Sequence, residues 1–313
     1  VPEKIRQEYH LLNDREIITK MHHPKNSNDA EIGKRSAIFR EFFIFELQLA
    51  LLTKKDGNQL GYAKKYDLKE VANLTKSLPF ELSDDQKHVV NEIFADLHSS
   101  NQMRRLLQGD VGSGKTVVAV YAIFAAITAG YQAALMVPTE ILATQHFKKI
   151  DELLRPFGIR VALLTSNTKT LERREIYREL TDGTINVVIG THALIQKNVI
   201  FKKLGLVIID EQHRFGVGQR QALINKGDNP DVLAMTATPI PRTLALTVYG
   251  DMTLSEIHHL PSGRKPIISS WKTSSQMKDV YKRMHEQLDQ GFQIYAVTPL
   301  ITDSETLDLK NAE

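Results

Sequence analysis

The sequence predicts an α/β fold, a parallel sheet with helices on both faces. Three observations lead there. Between residues 104 and 258, short runs rich in Val, Ile and Leu alternate with helix-length segments, the pattern of strands covered on both sides. One junction, Gly109-Asp110-Val111-Gly112-Ser113-Gly114-Lys115-Thr116, has the Gly-x-x-x-x-Gly-Lys-[Ser/Thr] spacing of a phosphate-binding loop between a strand-like and a helix-like run. Two other apolar runs end in reactive side chains, 206–209 in Asp210-Glu211 and 232–235 in Thr236-Ala237-Thr238.

Residues 1–78 hold few strand signals. His22 and His23 are adjacent and lack the i, i+4 spacing of a helical metal pair, so the stretch 21–28 reads as a solvated loop. From residue 30 to 55, Ile38, Phe42, Phe45, Leu49 and Leu52 recur at steps of four and three, one face of an amphipathic helix. Phe39, Phe43 and Leu47 widen the stripe. The segment is expected to be a helical brace packed on more than one side.

Pro79-Phe80-Glu81-Leu82 marks a boundary, and Ser83 with Gln86 has the spacing of a capping box opening the next helix. Strands are then predicted at 106–108, 133–137, 160–165, 186–190, 206–209 and 232–236. Helices are predicted at 116–129, 140–154, 170–181, 217–225 and 241–249. After residues 260–263 the alternation restarts, with strands expected at 266–271 and 292–298 around a helix at 274–290. Two strands cannot complete a second unit. The expected domains are 1–78, 79–260 and the opening part of another at 261–313.

In a parallel sheet, ligands sit outside the carboxyl ends of the strands. The phosphate loop's glycines allow successive N–H groups to point at one anion at a helix N-terminus, where the dipole favours negative charge. Lys115 adds a charge for the β- and γ-phosphates and Thr116 a hydroxyl for Mg²⁺. Asp210 is placed to hold the same ion through water, and Glu211 to orient and deprotonate an attacking water. An acidic pair at a strand end can instead cap a helix, and Gln86 can be purely a cap. Thr236, Ala237 and Thr238 can bond the end of the acidic strand, or simply precede a helix.

The 313 residues suggest about two domains at ~150 residues each. A net charge of +3 permits a nucleic-acid partner without arguing for one, and zero cysteines excludes disulfides and thiolate metal sites. No run of ~18 apolar residues and no signal-peptide pattern is present, so a soluble cytoplasmic protein is expected, with no membrane partner. The absence of an initial Met and the polar last residues read as cuts from something longer.

The ordered set GDVGSGKT (109–116), PTEILATQH (138–146), GTHAL (190–194), DEQH (210–213) and TATPIPRT (236–243) resembles the superfamily-two helicase motors. LPFELSDDQ (78–86), DEQHRFGVGQR (210–220), TATPIPRTLALTVYGDM (236–252) and LPSGRKPI (260–267) are similar to the RecG helicases, with transcription-repair coupling translocases as the nearest alternative. The resemblance implies a RecA-like lobe, the start of a second one, and ATP-driven remodelling of branched DNA such as stalled forks and Holliday junctions by a monomer.

It further implies that Gln86, and with it Phe80, contacts adenine. Pro138, Thr139 and Glu140, with Gly190, Thr191 and His192, would touch the DNA backbone. Residues 236–238 would couple ATP state to DNA movement, and His213 would link the lobes. A wedge domain and the family's arginine finger find no match in these residues. Loss of such a finger costs on the order of 10³–10⁵ in rate, so impaired turnover is expected. Alternatives are a phosphate-loop kinase, for which no acceptor lid is evident, a GTPase, for which no Asn-Lys-x-Asp string exists, and a non-catalytic nucleotide- or DNA-binding module.

Overall fold

The structure, a computed structural model, describes residues 1–55, 60–238, 252–259 and 267–297, and the side chains of Leu49 and residues 52–55 are not among those described. The chain divides into two compact units, Val1–Gly263 and Arg264–Glu313.

The first unit is built on seven parallel strands: β1 (Arg104–Gly109), β2 (Gln132–Met136), β3 (Val161–Leu164), β4 (Val187–Gly190), β5 (Leu204–Asp210), β6 (Asp231–Thr236) and β7 (Thr253–Ile257). Their order is β3-β4-β2-β5-β6-β1-β7. Central β5 is buried along all seven of its residues, which is why its sequence is apolar without alternation up to Asp210. Helices α1 (Glu3–Glu8), α2 (Asp14–His22), α3 (Ser27–Lys55), α4 (Leu68–Ser77) and α5 (Asp84–His98) precede β1, and α6 (Lys115–Thr128) leaves the phosphate loop. From Val117 to Ala126 every residue of α6 is buried, so an all-round apolar sequence becomes a central core helix. Then come α7 (Glu140–Leu154), α8 (Thr170–Asp182) and α9 (Val217–Ile224). The predicted fold class and the six strands predicted between residues 104 and 258 are present.

Register decides where the motifs meet. Gln108 of β1 pairs with Thr236 of β6, and Asp210 of β5 pairs with Met235. The phosphate loop and the acidic pair therefore flank one strand, with about 10 Å between β1 and β5 at the usual strand spacing. Likewise Met136 and Leu164 both pair with Gly190, so the ends of β2, β3 and β4 lie side by side.

Three expectations fail. Sequence reading missed β7, an edge strand whose inward positions are polar and apolar in turn. Its Ser255 is buried against Arg105, whose guanidinium also binds Glu92 at 3.0 Å and Asp96 at 2.7 Å. Among the described residues the stripe on α3 is only partly packed: Ile38, Phe42, Phe45 and Leu47 are about half exposed, while Phe39 lies against Tyr9 with ring centroids 5.5 Å apart. The buried side of α3 is instead Gly33 and Ser36, where small residues let α2 approach and the Ser36 hydroxyl accepts the Leu12 N–H at 3.1 Å. In the second unit, residues 267–271 and 292–297, the described parts of the strands expected at 266–271 and 292–298, carry no strand. Among the described residues there, α10 (Met277–Asp289), preceded by a turn at Ser274–Gln276, is the regular element. The helix expected at 241–249 lies outside the described residues.

Candidate active site

The phosphate loop runs from the end of β1 into α6. Gly112 and Gly114 have φ of +80° and +90°, left-handed conformations that glycine alone adopts without strain. At Gly114 a Cβ would also meet Gln86 Nε2 at 2.2 Å. Gln86 is buried and serves two partners. Its Oε1 accepts the Ser83 N–H at 2.9 Å, completing the capping box of α5, and its Nε2 donates to the Ser113 carbonyl at 2.8 Å. The cap and the loop contact coexist, so Gln86 ties the start of α5 to the phosphate loop. Phe80 stands apart from this contact, half exposed, in a cavity of about 850 Å³ with Leu82, Lys87, Val90 and Tyr121.

Lys115 folds back to donate to the carbonyls of Gly109 at 2.6 Å and Asp110 at 3.0 Å. Burial pushes its ammonium pKa down, and the charges of Asp210, Glu211 and Asp110 resist that shift. Lys115 thus feels both acidic residues across β6. Burying a cation here is stabilised only when anions face it.

Asp210 ends β5 almost fully buried. Its Oδ1 accepts the Glu211 N–H at 3.0 Å, and its Oδ2 faces His146 Nε2 at 3.0 Å. Glu211 turns out of the strand with φ 48° and ψ 52°, left-handed for a residue with a Cβ. Such a conformation costs roughly 1–2 kcal/mol and persists where the surroundings require it. It leads into a short turn at Gln212–Arg214, where Gln212 is buried and His213 is exposed with its Nδ1 3.5 Å from Glu211 Oε2.

Thr236 is buried and its hydroxyl accepts the Thr238 N–H at 3.1 Å, closing the turn after β6. Among the described bonds it does not reach the acidic strand's end. A cavity of about 800 Å³ is nonetheless lined jointly by Pro138, Thr139, Glu211, His213, Ala237 and Thr238.

Thr139 caps α7 by accepting the Leu142 N–H at 3.3 Å, and Glu140 accepts a bond from Asn167. His192 Nε2 lies 3.3 Å from Ser166 Oγ. The loop after β3 thus joins the 138–140 and 190–192 segments, and Arg173 holds that loop by donating to the carbonyls of Thr165, Ser166 and Thr168. Gly190 has a packing reason of its own, since a Cβ there would meet the Leu164 carbonyl oxygen at 2.1 Å. Sequence reasoning missed Ser166, Asn167 and His146. For His146 the signal was a histidine on the apolar face of α7, between Ala143 and Ile150.

Among the described residues, six buried side-chain polar atoms lack a hydrogen-bond partner; Ser113 Oγ, His146 Nδ1, Thr191 Oγ1 and Gln212 Nε2 are four of them. An unmet buried polar group costs about 1–3 kcal/mol, and these four lie in or beside the phosphate loop, the 190–192 segment and the acidic strand's end. No group of three or more His, Asp or Glu among the described residues could hold a metal alone. Mg²⁺ takes one or two carboxylates and draws its other ligands from phosphate and water. Asp210 and the Thr116 hydroxyl, the donors expected from the sequence, are oxygens of the type this ion takes.

The DEAD/DEAH box helicase family model matches residues 83–247. The chain belongs to the DEAD/DEAH box helicase family. Within this helicase family it is similar to proteins described as ATP-dependent DNA helicase RecG. The protein from Streptococcus pneumoniae serotype 4 is 48% identical over all of this chain and 46% of its own length. That from Bacillus subtilis strain 168 is 47% identical with the same coverage. A solved structure described as RecG bound to a three-way DNA junction is 42% identical, with a TM-score of 0.81, over 93% of this chain and 39% of that one. The chain spans about half the length of the curated relatives it matches.

Proposed function

We propose that this chain is the nucleotide-binding part of an ATP-driven DNA helicase that remodels branched DNA, such as forks and Holliday junctions. The shared cavity carries the reading: Glu211, the coupling segment and the segment expected on the DNA backbone open into one space. The solved relative described as bound to a three-way junction supports the DNA class.

In this reading ATP displaces Lys115 from the Gly109 and Asp110 carbonyls, and its ammonium moves onto the β- and γ-phosphates. Gln86 contacts adenine from the helix that it caps, with Phe80 near the base. Thr116 and Asp210 would hold Mg²⁺, whose charge would stabilise the phosphoryl oxygens. Glu211 orients a water and takes its proton as the oxygen attacks the γ-phosphorus, and the bond to the β-phosphate oxygen breaks to leave ADP and phosphate. His213, Thr236, Ala237 and Thr238 report that change to the cavity wall. Pro138, Thr139, Glu140, Gly190, Thr191 and His192 hold DNA by backbone contacts that do not read sequence.

The proposed division is a helical linker at 1–78, the first RecA-like lobe at 79–260 and the start of a second at 261–313. Residues 1–313 alone are proposed to bind ATP and turn it over slowly, since the arginine finger of the resembled family has no match in them. A monomer in the cytoplasm fits the reading, and among the described residues no helix is long and apolar enough to cross a membrane.

The test is ATP hydrolysis with and without forked DNA. In the whole protein Lys115→Ala abolishes nucleotide binding with an unchanged far-ultraviolet spectrum. Glu211→Gln keeps binding and loses hydrolysis. Unchanged ATP affinity in Lys115→Ala, or unchanged hydrolysis in Glu211→Gln, removes the assigned roles.

A further inference from the structure

His146 occupies a position where the helix period asks for an apolar residue. It lies three residues after buried Ala143 and four before buried Ile150, on the inner face of α7. Its side chain is 11% exposed, and Nε2 stands 3.0 Å from Asp210 Oδ2. A carboxylate only accepts, so Nε2 carries the proton and donates. Its other nitrogen is buried without a partner among the described residues, so Asp210 is the ring's polar contact there. Burying an imidazole for one hydrogen bond is costly unless that bond has a use.

The bond has a clear effect on Asp210. The Glu211 N–H holds Oδ1 and His146 holds Oδ2, so the carboxylate cannot rotate about its last bond without losing one of them. Its remaining lone pairs therefore face one way.

The second consequence comes from what α7 is. The helix begins at Glu140, capped by Thr139, and Ala143, Ile150 and Leu154 anchor it in the core. Residues 138–140 are the segment assigned above to the DNA backbone. His146 is six residues beyond the helix start, about 9 Å at 1.5 Å per residue. A shift of the helix start is carried along a rigid rod to the ring that fixes Asp210.

We propose that His146 is a positioning residue: through its bond to Asp210 it orients the carboxylate for Mg²⁺ and makes that orientation depend on DNA held at the start of α7. This rests on the reading that the site binds Mg-ATP and that residues 138–140 meet DNA. It gives the protein a path from DNA to the metal ligand that stays within one lobe, distinct from the 236–238 segment.

The experiment uses the whole protein and a fluorescent, non-hydrolysable ATP analogue, titrated with Mg²⁺ in the presence and absence of forked DNA. In the wild type, DNA lowers the Mg²⁺ midpoint. His146→Leu fills the buried position but cannot donate. Its midpoint rises at least about tenfold, the usual effect of losing a partner behind a metal ligand, and DNA no longer moves it. His146→Gln places an amide N–H at similar reach, keeps the midpoint within about threefold of wild type and retains the DNA response.

A His146→Leu protein with wild-type midpoint and DNA response overturns the inference, and so does a His146→Gln protein as impaired as the leucine variant. Should His146→Leu fail to fold by circular dichroism, His146→Met takes its place with the same expectations. A wild type without Mg²⁺-dependent binding overturns both this inference and the function it rests on. A responsive wild type with an unaffected leucine variant overturns the inference alone.

Discussion

Replacing Lys64 by Met exposes how the residues before α4 are fastened to the sheet. Lys64 is 1% exposed and pairs with Asp231, 3% exposed, at the start of β6. Its Nζ also lies 4.8 Å from the centre of the Tyr131 ring. Asp231 is pushed upward in pKa by burial, which the Lys64 ammonium and the Met103 N–H, at 2.7 Å, oppose. Met has similar length and no charge, so the substitution removes the cation with little change in packing. An uncompensated carboxylate then remains, and breaking a buried pair from one side costs about 3–5 kcal/mol. For a domain of this size each kcal/mol moves the melting temperature by ~2–4 °C, so a fall of about 6–20 °C is expected.

The sign with pH follows from Asp231. A folded-state pKa above the unfolded value means that the native state binds the extra proton, so stability falls as pH rises from the ordinary aspartate range to the folded value. Without Lys64 that upward shift grows, and the deficit of Lys64→Met widens toward neutral pH and narrows in acid. The double variant Lys64→Met/Asp231→Asn removes the charge and keeps an acceptor for Met103, so it recovers most of the loss. Urea unfolding at several pH values measures all three proteins. Lys64→Met within about 1 kcal/mol of wild type at pH 7, or a double variant as unstable as the single one, refutes the reasoning. The pair sits at the amino ends of the strands, so nucleotide affinity of the folded variant stays unchanged.

Gly114→Ala forces a left-handed Cβ onto Gln86 Nε2, so the bond to Ser113 breaks; ATP affinity falls at least about tenfold while melting drops by ~1–2 kcal/mol equivalent, seen by nucleotide titration and calorimetry. Asp85 accepts the N–H groups of His259 and His258, each at 2.8 Å, and these bonds, with His259's ring, hold its carboxyl below the usual range. A depressed folded pKa gives stability that is present above the ordinary aspartate value and lost as pH falls through the folded one. Thermal melts of Asp85→Ala across the acid range are therefore expected to lose less on acidification than those of wild type.

Much of the fold was legible because its signals are local. Strands buried on both faces must be apolar throughout, so 206–209 and 232–236 announced themselves. The phosphate loop's chemistry is spelled in eight consecutive residues, and Gly114 needs its left-handed turn wherever the chain goes. Edge strand β7 was illegible because half its inner face is a serine serving buried Arg105, a role visible only beside Glu92 and Asp96. The stripe on α3 misled for the opposite reason: periodicity states that a helix has an apolar face, and not that this chain covers it.

What the sequence determined alone was the loop, the acidic pair and their order along the chain. Tertiary structure decided that Gln86 both caps α5 and holds Ser113, that the ends of β1 and β5 flank β6, and that His146 meets Asp210 from 64 residues away. Covalent spacing fixes what lies within a turn or a strand, while strand order fixes what meets across the sheet. A buried histidine or carboxylate then takes the partner that order supplies.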